Sequence, residues 1–142
     1  NVEGAPIVQL ETAIGSGLEC FEGAVGLTVS RERFLPVKKT DDLLLVRSNL
    51  FSLSNGKLIR NSQRKSASLP IIELGDFLQN INNFQSSFPV IPDLVNLEEL
   101  KIKGAVRFEG AASLQGKVHL QGLKEGLSLP TGVVIADETR QC

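Results

Sequence analysis

Residues 100–122 read LKIKGAVRFEGAASLQGKVHLQG, and this stretch repeats with a period of six. One set of matching positions holds glycine, and two other sets hold apolar side chains. The three sets are Gly104, Gly110, Gly116 and Gly122; Leu100, Val106, Ala112 and Val118; and Ile102, Phe108, Leu114 and Leu120. A helix would spread these sets over several faces, and a lone strand does not need glycine at this spacing. The pattern is typical of a hexapeptide β-helix, with inward apolar side chains on flat walls and small residues where the chain turns.

Each coil of such a β-helix uses three hexapeptides, so the repeat predicts about one and a third coils. Apolar residues on both sides extend the pattern, namely Leu97, Leu127, Leu129 and Val133. The last coil of a short solenoid stays exposed unless something caps it or stacks on it. An end-to-end contact with a second copy of the chain is one way to cover it.

The composition fits an ordinary globular protein of one domain or two small ones. The chain has 142 residues, 42% hydrophobic side chains and a formal net charge of -1. This charge argues against a broad surface for nucleic acid or for a membrane, and no apolar run approaches the roughly 20 residues that span a bilayer. The two cysteines, Cys20 and Cys142, make neither a disulfide framework nor a zinc site. The small number of cysteines and the absence of an Asn-x-Ser/Thr sequon favour a reducing, cytosolic location.

The sequence contains no methionine and opens without the basic and apolar regions of a signal peptide. We therefore expect the chain to be a piece of a longer protein. On this interpretation, residues 1–85 form the end of one domain and residues 86–142 form the β-helix domain.

Before the repeat, the sequence predicts alternating helices and strands. Apolar residues at three- and four-residue steps over 7–21 predict an amphipathic helix, in which Gly15 and Gly17 would allow another element to approach closely. The other predicted elements are a strand over 24–30, a helix after Thr40 as its N-cap, a hairpin turning at Asn55-Gly56, a mobile polar segment over 60–69, a strand over 71–74, a short helix over 78–84 and a boundary over 86–92.

Lys38 and Lys39 are the candidate binding residues. Lysine ammonium groups neutralise phosphate, and the N-terminus of the helix after Thr40 would add its dipole. A solvated basic loop is the alternative on composition alone. His119, the only histidine, alternates with inward positions of the repeat and is predicted to be a surface residue. Nothing in the sequence predicts a protein-bound metal, and Cys20 is predicted to be a small packed thiol.

The wider string around these lysines favours the phosphate site. Residues 33–46, RFLPVKKTDDLLLV, strongly resemble the UDP-glucose pyrophosphorylase (UTP–glucose-1-phosphate uridylyltransferase) family. The segments at 9–13, 47–50 and 72–75 also fit, and the closing repeat is similar to that family's C-terminal domain. The resemblance covers nearly the whole chain in order.

The resemblance implies an α/β fold, in which the C-terminal end of a Rossmann-like nucleotidyltransferase core is followed by a left-handed parallel β-helix of hexapeptide repeats. It implies an enzyme that reversibly makes UDP-glucose and pyrophosphate from UTP and glucose 1-phosphate, with Mg²⁺ accompanying UTP. Lys38 matches the family's phosphate-contacting catalytic lysine, and Lys39 lies at a looser position and is secondary. Most nucleotide and sugar contacts of the family lie in an N-terminal part, so we expect this chain to be inactive alone.

The sequence leaves two alternatives open. The chain could act mainly as a structural β-helix that mediates self-association. It could also belong to a pyrophosphorylase for another UDP-sugar, such as UDP-N-acetylglucosamine, although the Phe-Leu-Pro-Val-Lys string favours the glucose enzyme.

Overall fold

The computed structural model describes residues 14–30 and 34–141, and the chain divides into two units, residues 1–31 and residues 32–142. The first unit contains a 3₁₀ helix, Ile14–Cys20, followed by a turn. This helix lies in the second half of the predicted helix over 7–21, and the earlier part of that prediction lies outside the described residues. No described element approaches Gly15 or Gly17 closely, contrary to the prediction, because a Cβ atom at either position would have no described atom within 4 Å.

Residues 24–30 form no strand, contrary to the prediction from their alternating pattern. Val25, Leu27 and Val29 are 92%, 88% and 56% exposed. A strand requires a neighbouring strand for its backbone hydrogen bonds, and no described residue pairs with this segment. The alternation shows which side chains are apolar but does not supply the pairing partner.

The second unit combines short helices with a hairpin and a larger sheet. Its elements in chain order are α1 (Thr40–Arg47), β1 (Phe51–Ser54), β2 (Lys57–Arg60), β3 (Ile71–Leu74), α2 (Asp76–Gln79), α3 (Ile81–Ser87), β4 (Leu97–Phe108), β5 (Ala112–Leu129) and β6 (Val133–Gln141).

The predicted hairpin is confirmed, because β1 and β2 pair antiparallel on either side of Asn55 and Gly56. Both turn residues have positive φ angles, 49° and 71°, as a type I′ turn requires. The strand predicted over 71–74 is β3, and the helix predicted over 78–84 is divided between α2 and α3.

A parallel four-stranded sheet, in the order β3-β4-β5-β6, forms the main part of the second unit. Leu100 lies beside Val118 and Ile102 lies beside Leu120, so each of these residues pairs with the residue eighteen positions later. Eighteen residues are three of the six-residue repeats, and equivalent positions of the repeat therefore stack on one another. The register shifts after Gly104, beyond which the strands no longer follow the eighteen-residue step.

The sheet encloses one side of a continuous apolar core. Inward residues of β4, β5 and β6 are buried and pack with residues from the helices and connections. The core comprises Leu44, Leu50, Leu74, Leu78, Phe84, Phe88, Leu94, Leu97, Leu100, Ile102, Val106, Phe108, Leu114, Val118, Leu120, Leu129 and Ile135. The Phe88 ring centroid lies 5.2 Å from that of Phe84 and 5.1 Å from that of Phe108, which joins α3 to β4.

β3 lies before residue 86 but pairs with β4, which lies after it. One sheet therefore includes strands from both predicted domains, and the division into 1–85 and 86–142 stays a prediction. None of the helices within the described ranges is both long and apolar enough to cross a membrane.

Two repeat glycines are required where β4 and β5 approach each other closely. A Cβ atom at Gly122 would overlap the backbone carbonyl of Ala105, and one at Gly104 would overlap the carbonyl of Gly122. Gly104 also has a φ angle of +72°, which L-residues with a side chain rarely adopt. Backbone contact between neighbouring strands therefore explains glycine at these two positions, which are paired with each other across the sheet.

We expect Gly122→Ala to destabilise the second unit by about 2 kcal/mol, because the added methyl group overlaps backbone that cannot move aside freely. Thermal unfolding followed by circular dichroism measures this change. Gly26→Ala is the matched control, since a Cβ there would have no described atom within 4 Å and the expected change is below about 0.5 kcal/mol. Equal melting temperatures for the two variants would contradict the assignment of Gly122 to a close backbone contact.

Candidate functional site: the lysine pair before helix α1

Lys38 and Lys39 lie immediately before α1 and are both exposed. They border an open pocket of about 230 Å³ together with residues of α1, α2 and α3. The lining residues are Val37, Lys38, Lys39, Thr40, Leu43, Gln79 and Ile81. The two sequence-predicted site residues are therefore brought to one pocket, at the amino end of an eight-residue helix.

A carboxylate of the first helical turn holds the backbone of both lysines. The Lys38 and Lys39 amides donate to Oδ2 of Asp42, at 2.9 Å and 3.1 Å. A carboxylate here also interacts favourably with the positive end of the helix dipole. One side chain therefore sets the direction in which the chain enters α1, and hence where both lysine side chains begin.

The prediction of Thr40 as the N-cap is wrong by one residue. Lys39 occupies the N-cap position with extended backbone, and Thr40 is the first helical residue. The reason is that Asp42 accepts the amide hydrogen bonds that precede the helix. The Thr40 side chain is thereby free to donate to Oε1 of Gln79, at 3.1 Å.

A polar network fastens this end of α1 to the sheet. The backbone amide of Leu74, at the end of β3, donates to Oδ1 of Asp41. The Gln79 side-chain amide donates to Oδ2 of Asp41 at 3.0 Å and to the Leu74 carbonyl at 2.8 Å. α1 is thus attached at its first turn to both β3 and α2.

Gln79 was not predicted from the sequence. It lies 39 residues from Thr40 in the chain, in a short helix whose pattern indicates only which residues are buried. The sequence showed Asp41 and Asp42 as favourable residues for the first turn of a helix. It did not show that Asp41 binds β3 while Asp42 binds the backbone of the lysines, because these contacts depend on the tertiary structure. No sequence spacing would have identified the partner.

The chemistry available at this pocket is binding and neutralisation of an anion. It presents two ammonium groups beside a helix N-terminus, where backbone N–H groups also favour negative charge. Both neighbouring carboxylates, Asp41 and Asp42, already accept backbone or side-chain donors. Within the described part of the chain, no three His, Cys, Asp or Glu side chains lie together in an arrangement that could hold a metal ion.

The remaining candidate residues lie elsewhere. His119 Nε2 lies 2.7 Å from Oε1 of Glu99 on the outer face of the sheet, with 42% of the His119 side chain exposed. This hydrogen bond is the main reason that the pKa of Glu99 is lowered, and Lys101 adds to the effect. Cys20 is exposed, so its predicted packing is wrong, and Cys142 lies outside the described residues.

Comparison with known proteins identifies relatives over nearly the whole chain. The family described as UTP–glucose-1-phosphate uridylyltransferase matches residues 1–115. UTP–glucose-1-phosphate uridylyltransferases from Astragalus penduliflorus and Hordeum vulgare are each 44% identical, over 97% of this chain. The matched part is 30% of the first relative and 29% of the second, so the chain spans less than a third of their length.

Solved structures give the same result. A mutant UDP-glucose pyrophosphorylase from Leishmania major superposes with a TM-score of 0.77 and 29% identity, over 94% of this chain and 28% of that protein. The UDP-glucose phosphorylase structure from Trypanosoma brucei gives a TM-score of 0.75 and 30% identity, again over 94% of this chain and over 30% of that protein. These similarities agree with an α/β fold that contains a parallel sheet.

We expect Asp42→Ala to destabilise the second unit by about 1 kcal/mol, because the Lys38 and Lys39 amides lose their shared acceptor. Chemical denaturation followed by circular dichroism measures the loss. Asp76→Ala removes a carboxylate from the first turn of α2, where no side-chain hydrogen bond caps the helix, and serves as the control. A loss no larger than that of the control would show that Asp42 does not fix the lysine backbone.

Proposed function

The chain belongs to the UTP–glucose-1-phosphate uridylyltransferase family, and from this premise we propose that it is part of an enzyme that forms UDP-glucose and pyrophosphate reversibly from UTP and glucose 1-phosphate. The observation that carries the proposal is the family match across the segment that holds the lysine pair. The anion-binding chemistry of that pocket supports it independently. The chain spans less than a third of these relatives, so the reaction is proposed for the longer protein.

In this proposal, Lys38 is the catalytic, phosphate-contacting residue. An oxygen of glucose 1-phosphate attacks the α-phosphorus of UTP, and pyrophosphate leaves. Negative charge concentrates on the α-phosphate and the leaving group, so positioning and charge neutralisation supply most of the acceleration. An ammonium group held before a helix N-terminus suits that task, because its backbone is fixed before substrate arrives. Lys39 is proposed as a secondary phosphate contact.

Mg²⁺ enters this proposal as part of the Mg·UTP substrate. The carboxylates nearest the lysines, Asp41 and Asp42, already accept N–H donors, so we propose no metal ligand among the described residues of this pocket. No step is therefore assigned to a metal held by this chain. The cytoplasmic location predicted from the cysteine and sequon content stays a prediction.

We further infer that β3 to β6 form one wall of a left-handed parallel β-helix. The eighteen-residue pairing step between β4 and β5, equal to three hexapeptides, supports this inference. The consequence is a sheet with an open edge at β6, which pairs only with β5 among the described strands. Val134 on this edge strand is 59% exposed, which favours the proposal that a second copy of the chain associates through the β-helix.

We expect Lys38→Ala, made in a longer protein that contains this chain, to lower kcat by about a hundredfold or more, because a preorganised charge at the transferring phosphate is lost. Steady-state formation of UDP-glucose from Mg·UTP and glucose 1-phosphate measures the effect. Lys103→Ala removes an exposed lysine from the sheet and is expected to leave turnover unchanged. Near-normal turnover of the Lys38 variant would remove this residue from the catalytic site.

We expect the 142-residue chain to have a solution mass above its monomer mass of 15.3 kDa, measured by size-exclusion chromatography with light scattering. Val134→Lys places a charge on the β6 edge and is expected to shift the population toward the monomer. Val90→Lys alters an exposed valine outside the sheet and serves as the control. A monomer at all concentrations would contradict association through the β-helix.

A further inference from the structure

The connection between β2 and β3, residues 61–70, carries a concentration of positive charge that the proposed reaction does not use. We call these residues the basic loop. The sequence over 60–69 was predicted to be polar and mobile, but arginine side chains fasten it at several points. Arg64 donates from Nη1 to the carbonyls of Val95 and Leu97, at 2.9 Å and 2.8 Å. The basic loop is thereby attached to the start of β4.

The same side chains also converge on the backbone around Ser68. Arg64 Nε donates to the Ser68 carbonyl at 2.9 Å, and Arg60 Nη1 donates to the Ala67 carbonyl at 2.8 Å. These two carbonyls belong to the peptide bonds on either side of Ser68. A guanidinium group is therefore hydrogen-bonded on each side of this one serine.

The two guanidinium groups repel each other. The pKa of Arg64 is lowered, first by burial and then by the charge of Arg60, while Glu98 acts in the opposite direction. The basic loop itself contains no acidic residue, and Lys65 adds a further positive charge. This arrangement favours an anion close to Ser68.

The hydroxyl group of Ser68 is available for modification. Ser68 and Ser66 are both exposed, and their Oγ atoms lie 3.1 Å apart. The residues before Ser68 include an arginine at the fourth position and an exposed lysine at the third. A kinase active site that selects basic residues upstream of serine could therefore contact Lys65 without displacing Arg64 from β4.

We propose that Ser68 is a phosphorylation site for a serine kinase that recognises basic residues, and that its phosphate is held between Arg60 and Arg64. In the transfer, Ser68 Oγ attacks the γ-phosphorus of ATP, the bond to ADP breaks, and the hydroxyl proton passes to the base of the kinase. The proposal does not depend on the uridylyltransferase reaction.

The physical reason is charge compensation at short range. A phosphoserine carries between one and two negative charges at neutral pH and offers three strong acceptor oxygens. Each guanidinium has five N–H donors, and the contacts of Arg60 and Arg64 leave several of them for a phosphate. The modification replaces a repulsive pair of cations with two charge-assisted contacts, so it should tighten the basic loop against β4.

The test begins with the full 142-residue chain, Mg·ATP and a set of basic-directed serine kinases that includes the catalytic subunit of cAMP-dependent protein kinase. Mass spectrometry after proteolysis should place the phosphate on Ser68. Ser68→Ala should abolish it, Lys65→Ala should slow it at least fivefold, and Ser62→Ala, which alters another exposed serine of the same loop, should leave it unchanged. Absence of phosphate from Ser68 with every kinase, or insensitivity to Lys65→Ala, would overturn the proposal.

A second measurement examines the phosphate itself, using protein with phosphoserine installed at position 68. Hydrogen exchange of the basic-loop amides should slow at least fivefold relative to the unmodified chain, and this protection should be lost in Arg60→Gln. That variant retains the Arg64 contacts to β4. Unchanged or faster exchange, or protection that persists in Arg60→Gln, would show that the two arginines do not hold the phosphate.

Discussion

The second unit depends on stacking equivalent apolar residues of successive strands in one interior. Leu100 beside Val118 and Ile102 beside Leu120 are buried pairs, and each fully buried side chain of this kind contributes about 1.5–3 kcal/mol. Next to these pairs, where the register shifts, the backbones of β4 and β5 come so close that only glycine fits at Gly104 and Gly122. The register of β4 on β5 thus needs apolar side chains at the stacked positions and no side chain at the close backbone contact.

The pocket bordered by Lys38 and Lys39 obtains its geometry from this sheet through a short series of contacts. β3 is held in register by β4, the Leu74 amide binds Asp41, and Asp41 fixes the first turn of α1. Asp42 then sets the backbone of Lys38 and Lys39. Long, flexible ammonium side chains are placed accurately only when their backbone is fixed, and here two adjacent carboxylates divide the task. Asp41 attaches the helix to the sheet, and Asp42 directs the chain that enters the helix.

Features determined by local sequence could be predicted, and features that need a distant partner could not. The Asn55-Gly56 turn has the predicted positive φ angles, since those residue types alone favour them. The hexapeptide period predicted stacked apolar residues. Residues three repeats apart carry the same kind of side chain, and they are the residues that pair on neighbouring strands. The N-cap position was misplaced because the Asp42 side chain accepts the backbone amide of Lys39, three residues earlier, and this contact makes Lys39 the N-cap. The alternating residues over 24–30 predicted a strand, but an alternating pattern cannot provide the second strand.

The same distinction separates the parts of the candidate site. Lys38 and Lys39 stood out as cations before a helix, and the family resemblance implied a phosphate contact for Lys38 and a secondary one for Lys39. The Thr40–Gln79–Asp41 network could not be predicted, because a glutamine in a short polar helix gives no sign of a distant hydrogen-bond partner. Arg64 was likewise assigned to a mobile segment, because carbonyl acceptors on Val95 and Leu97 have no signature in the sequence.

The parallel register of β3 on β4 also has a kinetic consequence. The pairs between β4 and β5 join residues about twenty positions apart, whereas Ile72 pairs with Leu100 only after the intervening helices are closed into a longer loop. Shorter loops cost less entropy to close, so the C-terminal strands should assemble first and β3 should join them later. Because α1 is attached through β3, we expect the lysines to reach their final arrangement late in folding. The same order in reverse would release them first when the chain begins to unfold.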